Sequence, residues 1–559
     1  MALDKTDKMS KLRPLVNRLN QRFQQWGVFH EDVCIDESMG PRVIKQNVVY
    51  IRFLSFTFSL VEERSFNKFA KWIPGYKLPT RKTLSNSLLQ EVYTKCEDDV
   101  SVQLAEEVTT MCITTDLWTS RVTESYIAIT GHYITKNFQF KTTLLGCCHF
   151  SGNHTSANIA EQIGALMDKW HLRKKINFAV TDNAANVVKA IKDLDDLDFK
   201  HFGCYAHTLN LIVEDALKPL KPLVDKVKAI VGHFKKSTTS SERLLKYQNQ
   251  QSNESPKRLI QDIETRWNST FYMIRRFVEL EEAVRSTIAL VSRELPILKN
   301  EEWVTLLQLC QILQPVEEVT SMMSGQNYLT GSYVIVITRC LKESYNKILG
   351  TSDLQQDIIS VAKSLKLGLS ERFKNIEQSG TFAISTFLDP RFKMKAFADH
   401  NEANRAKEKV RSLTASLISL NLSNDNNHHQ MPTSSKKEPN ELSPWQILDD
   451  IIEENTTQGT PLSKAIKEID MYLGDDFLPR KNSAGEWNCP LEWWKNHRHV
   501  YPNLSQIFIK HSNIVATSVP CERMFSKSGL IVNQRRTRLT TQKVEKLMFL
   551  NINLDKNRF

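Results

Sequence analysis

Two aspartates in this 559-residue chain stand where strand-like runs end. Asp116 closes TTMCITTD, a run that is mostly β-branched or apolar, and Asp182 closes the short apolar run INFAVTD. Two carboxylates brought together at strand ends make a divalent-metal site, because hard cations take oxygen ligands. For either aspartate alone the alternative is a turn residue or a helix N-cap, since NAANVVKAIKDL after Asp182 is helical in pattern. A second chemical spacing follows in HFGCYAHTLNLIV, where Cys204 and His207 are half of a zinc site with no second pair nearby. The alternative there is a buried thiol and a hydrogen-bonded imidazole at the start of a helix.

The elements that must position these groups lie between Thr109 and Asp215. SYIAITGHYIT and FKTTLLGCCHF read as two further strands, and Ala157 to Trp170 carries Ile159, Ile163, Leu166 and Met167 at helical spacing. The order strand, strand, strand, helix, strand, helix resembles the core of a ribonuclease H-like fold. That likeness implies that the first and fourth strands lie side by side, so that Asp116 and Asp182 point at one spot. Far away in sequence, SVPCERMFSKSGLIVNQRRTRL places Glu522 ahead of the helical run Val544 to Leu550.

Taken together these words resemble the hAT superfamily of DNA transposases, in the branch of the zinc finger BED domain-containing proteins. TTDLWTS resembles the first acidic motif, TDNAANVVKA the second, HFGCYAHTLNLIV the Cys-x-x-His element, ETRWNST the Arg-Trp element, LDPRFK a further family word, and CERMFS the third acid. The resemblance spans roughly Val48 to Leu554. It implies an α/β plus all-α fold: a ribonuclease H-like core in two parts, 109–220 and 501–559, interrupted by a helical insertion at 221–500 and preceded by a helical DNA-binding region at 44–108. It also implies a catalytic, metal-binding triad of Asp116, Asp182 and Glu522 holding two Mg²⁺ or Mn²⁺ ions, with Cys204 and His207 near the active site. Arg266 and Trp267 are expected to meet an unpaired base, Arg535, Arg536 and Arg538 to face phosphates, and the last part of the chain to dimerise. The expected partner is double-stranded DNA at transposon ends, in the nucleus. Two functions stay open: a DDE-type transposase, or a domesticated, non-catalytic DNA-binding regulator on the same scaffold.

Composition agrees with a polyanion partner. Lys and Arg outnumber Asp and Glu by 74 to 63, and the pI is near 9.0. The ten cysteines are scattered and no secretory signal stands at Met1, which points to reduced thiols inside a cell. Every apolar run is broken by charge before it reaches membrane-spanning length. Lys8 to Met39 departs from the hAT pattern and resembles a fragment of a piggyBac-type transposase; without partner strands, Asp36 is assigned no catalysis. Before about residue 45 only Cys34 and His30 resemble zinc ligands, so no BED finger is expected there. Lys68, Lys71, Lys77, Arg81 and Lys82, interleaved with Phe69, Trp72 and Tyr76, are a candidate DNA patch or a solvated helix face. The insertion reads as long amphipathic helices, and Asn421 to Ser443 as a disordered loop. Val544, Leu547, Met548 and Leu550 give the closing helix an apolar face for a core or a dimer contact.

Overall fold

The computed structural model describes residues 58–70, 78–119, 123–194, 199–251, 255–263, 267–290, 295–325, 328–350, 353–428, 459–531 and 539–554. Asp36, Lys71, Trp72, Tyr76, Lys77, Arg266, Arg535, Arg536 and Arg538 lie outside them.

Helix α1 (Leu89–Glu107) leads into one five-stranded sheet. Its strands are β1 (Met111–Thr119), β2 (Ser125–Ile134), β3 (Phe140–His149), β4 (Ile176–Thr181) and β5 (Lys200–Gly203), in the spatial order β3-β2-β1-β4-β5. The first three form an antiparallel meander, while β4 and β5 extend it in parallel after crossovers through α2 (Ser156–Lys169) and α3 (Ala185–Lys192). The first and fourth strands are therefore neighbours, as the order of elements predicted. Strand β5 was missed.

Both faces of the sheet are covered, which explains why β1 and β2 read as nearly unbroken buried runs. One face, with Met111, Ile113 and Ala179, packs on Leu104 of α1, Ile159 and Ile163 of α2, and α18 (Thr541–Asn553). The other, with Cys112, Phe178 and Val180, packs on Tyr205 and Leu209 of α4 (Tyr205–Leu217) and the helices beyond it. Period two thus sends alternate β1 residues into two different cores.

After α4 the chain is helical. The elements are α5 (Lys221–Lys236), α6 (Thr238–Gln251), α7 (Trp267–Glu279), α8 (Glu281–Ile288), α9 (Asn300–Met323), α10 (Tyr333–Leu349), α11 (Gln356–Arg372), α12 (Gly380–Phe387), α13 (His400–His428), α14 (Pro461–Gly474), α15 (Pro490–His497) and α16 (Pro502–His511). The predicted periodicities of Trp303 to Val319, Ser332 to Leu349 and Asp357 to Phe373 fall on α9, α10 and α11. Phe277 and Trp303 stack at 4.8 Å with planes 2° apart. Fully buried Trp494 donates its indole N–H to the Leu388 carbonyl at 2.9 Å. A correction concerns the loop expected from Asn421: α13 continues to His428, with serines such as Ser419 and Ser423 bonding back to the preceding turn. Residues 429–443 lie outside the described part.

The LDPRFK word is a buried junction. Asp389, 1% exposed, accepts from Ser332 Oγ (2.7 Å) and from Arg391 Nε and Nη2 (2.8 and 2.6 Å), while Arg391 Nη1 donates to Tyr333 Oη. Lys393 takes a left-handed φ of 46° and sends Nζ to the carbonyls of Tyr472 and Asp475, both at 2.7 Å. Charge placed so deep is tolerated because every group is bonded.

Helix α18 buries Val544, Leu547, Met548 and Leu550 at 2% exposure or less, so its apolar face belongs to the molecule's own core. It also serves the free edge of β3. Asn553 accepts from Leu144 N (2.9 Å) and donates to Leu144 O (2.8 Å), and Glu545 accepts from His149 N (2.6 Å).

Candidate active site

The β1–β4 ladder pairs Ile113 with Ala179 and Thr114 with Val180. The ladder ends there: Asp182 follows the last residue of β4, whereas Asp116, expected at a strand end, lies within β1 and pairs with Ala128 of β2. By parity Asp116 lies on the face of Cys112 and Thr114, and Asp182 on the face of Phe178 and Val180, toward the helical half. Both side chains are half-buried. Asp116 accepts from Leu117 N at 2.9 Å, and Asp182 accepts from Ala184 N at 3.3 Å, which turns the chain into α3.

Glu522 comes from α17 (Val519–Ile531), in its first turn, and is half-buried. The helix is seated along β1 by the residues on either side of the acid. Cys521 Sγ lies 3.2 Å from Thr114 Oγ1, and Phe525 stacks on Trp118 at 5.4 Å. Thr114 and Trp118 flank Asp116 on its own face of the strand, so α17 passes over that aspartate. Burial pushes the Cys521 thiol up to about 12, and the Asp116 carboxylate adds to the shift.

Cys204 links the remaining parts. Its N–H donates to Thr181 O at 2.7 Å, beside Asp182, and its Sγ accepts from Ser518 N at 3.4 Å, one turn ahead of Glu522. Tyr205 N donates to Ala516 O at 2.9 Å. At 1% exposure Cys204 is a core thiol, raised first by burial and also by Glu522. The Cys204 thiol thus takes the buried placement weighed for it; among the described residues no three His, Cys, Asp or Glu side chains are grouped to hold a metal. His207 is half-buried in the first turn of α4.

The same finding bears on the three acids. Asp116 on β1, Asp182 after β4 and Glu522 at the start of α17 offer carboxylates that suit Mg²⁺ or Mn²⁺ by donor type. They are not drawn into a ligating cluster.

Two neighbours of Asp182 had no sequence signal. His201 Nε2 lies 2.9 Å from Thr181 Oγ1; burial holds its pKa below the ordinary value, helped by Lys192 and opposed by Asp182. Asn183 occupies the space over Gly203, where a Cβ would fall 2.1 Å from Asn183 Oδ1. His201 and Gly203 come from β5, while Asn183 lies in the turn between β4 and α3.

The residues expected to meet DNA fare differently. Trp267 opens α7 but is 4% exposed, its ring 6.3 Å from Phe271 and its backbone N–H on Asn210 Oδ1 at 3.1 Å. This is the core placement that an indole in a helix commonly takes. Among the described residues the indole N–H is buried without a partner. Lys68 is exposed, and Arg81 lies 3.9 Å from Glu62.

Comparison with known families gives three matches along this arrangement. Residues 114–204 match the ZBED1 RNase-like domain, 202–312 the ZBED1 RNase-like helical domain, and 468–554 the hAT family C-terminal dimerisation region. A putative AC transposase of Zea mays is 26% identical over 537 residues, covering 88% of this chain and 63% of that protein. Zinc finger BED domain-containing protein 4 of Homo sapiens is 23% identical over 518 residues, covering 89% of this chain and 42% of its own length. A putative transcriptional regulator, tpeD, of Talaromyces stipitatus is 24% identical over 544 residues, with 90% and 60% covered. The chain thus spans less than two thirds of each of these relatives.

Proposed function

From a chain that carries the hAT dimerisation region and the ZBED1-type RNase-like domains, and is homologous to AC transposase and the zinc finger BED proteins, we propose a DNA-cutting and DNA-joining function. What supports it is the parallel pairing of β1, which carries Asp116, with β4, which leads to Asp182, and the seating of the Glu522 helix on β1 through Cys521. Carboxylates near a phosphodiester repel it unless a cation lies between them. Asp116, Asp182 and Glu522 would hold Mg²⁺ or Mn²⁺, which when bound activates a water or 3′-hydroxyl and stabilises the leaving oxygen. The residues' own part is positional: Asp116 and Asp182 are set by strand pairing, Glu522 by its helix. The sheet is then a catalytic core interrupted by a helical insertion that holds the transposon end, and the protein acts in the nucleus.

Self-association belongs to this reading. Within the matched dimerisation region Met471, Phe477, Trp487 and Val500 are 43–58% exposed, while the apolar face of α18 is already used internally. A second reading, a DNA-binding regulator without catalysis, is favoured by the relative described as a putative transcriptional regulator.

A nicking and strand-transfer assay on DNA with the element's own ends separates the two. The first reading expects Mg²⁺- or Mn²⁺-dependent products that vanish in Asp182→Asn. Equal cleavage by that variant sinks the assignment, and salt-sensitive binding without cleavage transfers the function to the regulator.

A further inference from the structure

Behind the acids lies a buried polar network. His132, fully buried, places Nε2 3.0 Å from Thr130 Oγ1 and 3.3 Å from Thr114 Oγ1, and Nδ1 3.0 Å from Thr142 Oγ1. The Thr114 and Thr130 hydroxyls are bonded to one another across the β1–β2 pair. Both then meet Cys521 Sγ, at 3.2 and 3.6 Å, and the thiol lies 3.5 Å from the Thr114 carbonyl and 3.8 Å from that of Ala128. All four of Thr114, Thr130, His132 and Cys521 are 1% exposed or less. A sheet interior filled by apolar groups would be cheaper to bury, so this polar content calls for a specific role.

What it specifies is register. A helix laid on a sheet by apolar contacts alone slides at low cost, since Leu-like surfaces are non-directional. Cys521 instead meets two hydroxyls and two carbonyls of adjacent strands at one place, and it is the residue before Glu522. Asp116 stands two residues past Thr114 on the same face of β1. On the far side, the chain entering α17 is fixed by Ala516 N to Thr330 Oγ1 (2.9 Å) and Thr517 Oγ1 to Met323 O (3.3 Å). Those bonds tie α17 to the helical half; the thiol ties it to the sheet.

We propose that Cys521, held by Thr114, Thr130 and His132, is a positioning residue that indexes Glu522 against Asp116. The proposal rests on the reading of these acids as metal ligands. His132 stays neutral in this role, since burial drops its pKa to about 3, and it orders both threonine hydroxyls without adding charge behind the carboxylates.

The experiment is direct Mn²⁺ titration of the full chain by electron paramagnetic resonance, beside thermal melting and DNA affinity. Cys521→Ser keeps a hydrogen-bonding group and is expected to bind Mn²⁺ as the natural protein does. Cys521→Val and Thr130→Val remove the contact and are expected to weaken Mn²⁺ about 10–100-fold, the range for residues that orient ligands, with DNA affinity unchanged. A folded Cys521→Val protein with undiminished Mn²⁺ affinity overturns the proposal; if that variant does not fold, the same result in Thr130→Val does so. A natural protein that neither binds Mn²⁺ nor cuts DNA overturns the functional reading instead.

Discussion

Two clusters of charge lie in this molecule, and they are built in opposite ways. Around Asp389 each oxygen is matched by Ser332 or Arg391, Arg391 is spent on Asp389 and Tyr333, and Lys393 ends on two carbonyls. Asp116 lies within β1 opposite Ala128, Asp182 just past the end of β4 and Glu522 in the first turn of α17, and all three are half-buried. In the first cluster every charged group is bonded, which makes it a structural junction between α10, α12 and α14. The second gathers its acids on separate elements, which is the contrast that the proposed function draws on. LDPRFK holds the helical half together.

The sharpest way to break this comparison is to neutralise one acid from each cluster. Asp182→Asn should abolish DNA cleavage while leaving the melting temperature unchanged or slightly raised, since like-charge repulsion is relieved. Next in size, Arg391→Ala leaves the Asp389 carboxylate buried and unpaired, and urea unfolding should report a loss of about 3–5 kcal/mol. Replacing both partners by apolar residues of similar volume should recover much of that loss, a result that separates desolvation from attraction.

A third test concerns buried bases. Burial lowers His132 from 6.5 to about 3, and burial with Lys510, Lys200 and Lys409 lowers His511 to about 4. Both are neutral in the folded chain, whereas the unfolded chain takes up a proton below pH 6.5. Their contribution to stability is complete above pH 6.5 and declines as pH falls toward 4 and then 3. Each should add a slope of about 1.4 kcal/mol per pH unit in that window. Denaturation midpoints at a series of pH values check this, and His511→Gln should flatten the curve by one such slope. The smallest expected effect is at the N-cap of α2, where Thr155 accepts from Asn158 N at 3.3 Å; Thr155→Ala should cost about 1 kcal/mol in thermal unfolding and leave cleavage untouched.

Strong periodicity made β1, β2, β3, α2 and β4 legible, because two-sided burial writes apolar runs and one-sided burial writes a helical stripe. Asp182 follows β4 as its apolar run suggests, whereas β1 continues past Asp116 to Thr119, because Leu117 and Trp118 extend the pairing with β2. Strand β5 was not, since its four residues Lys200 to Gly203 look like a loop until β4 lies beside them. With it went His201 and the fit of Asn183 over Gly203. Trp267 shows the converse failure: a motif assigned it to a base, yet nothing local told that Phe271 and the helical core would enclose it. Cys521 had no local signal either. Its partners are Thr114 and Thr130, hundreds of residues away, and only the assembled sheet brings them together.

The strand edge that Asn553 and Glu545 close on β3 also orders events during synthesis. Strand β3 is finished hundreds of residues before α18 is made, and during that interval Leu144 and His149 present open backbone groups on an apolar sheet edge. The sheet can pair early, but its last hydrogen bonds wait for the end of translation. A growing chain on one ribosome is thus exposed to the matching edge on its neighbour until each has supplied its own Asn553.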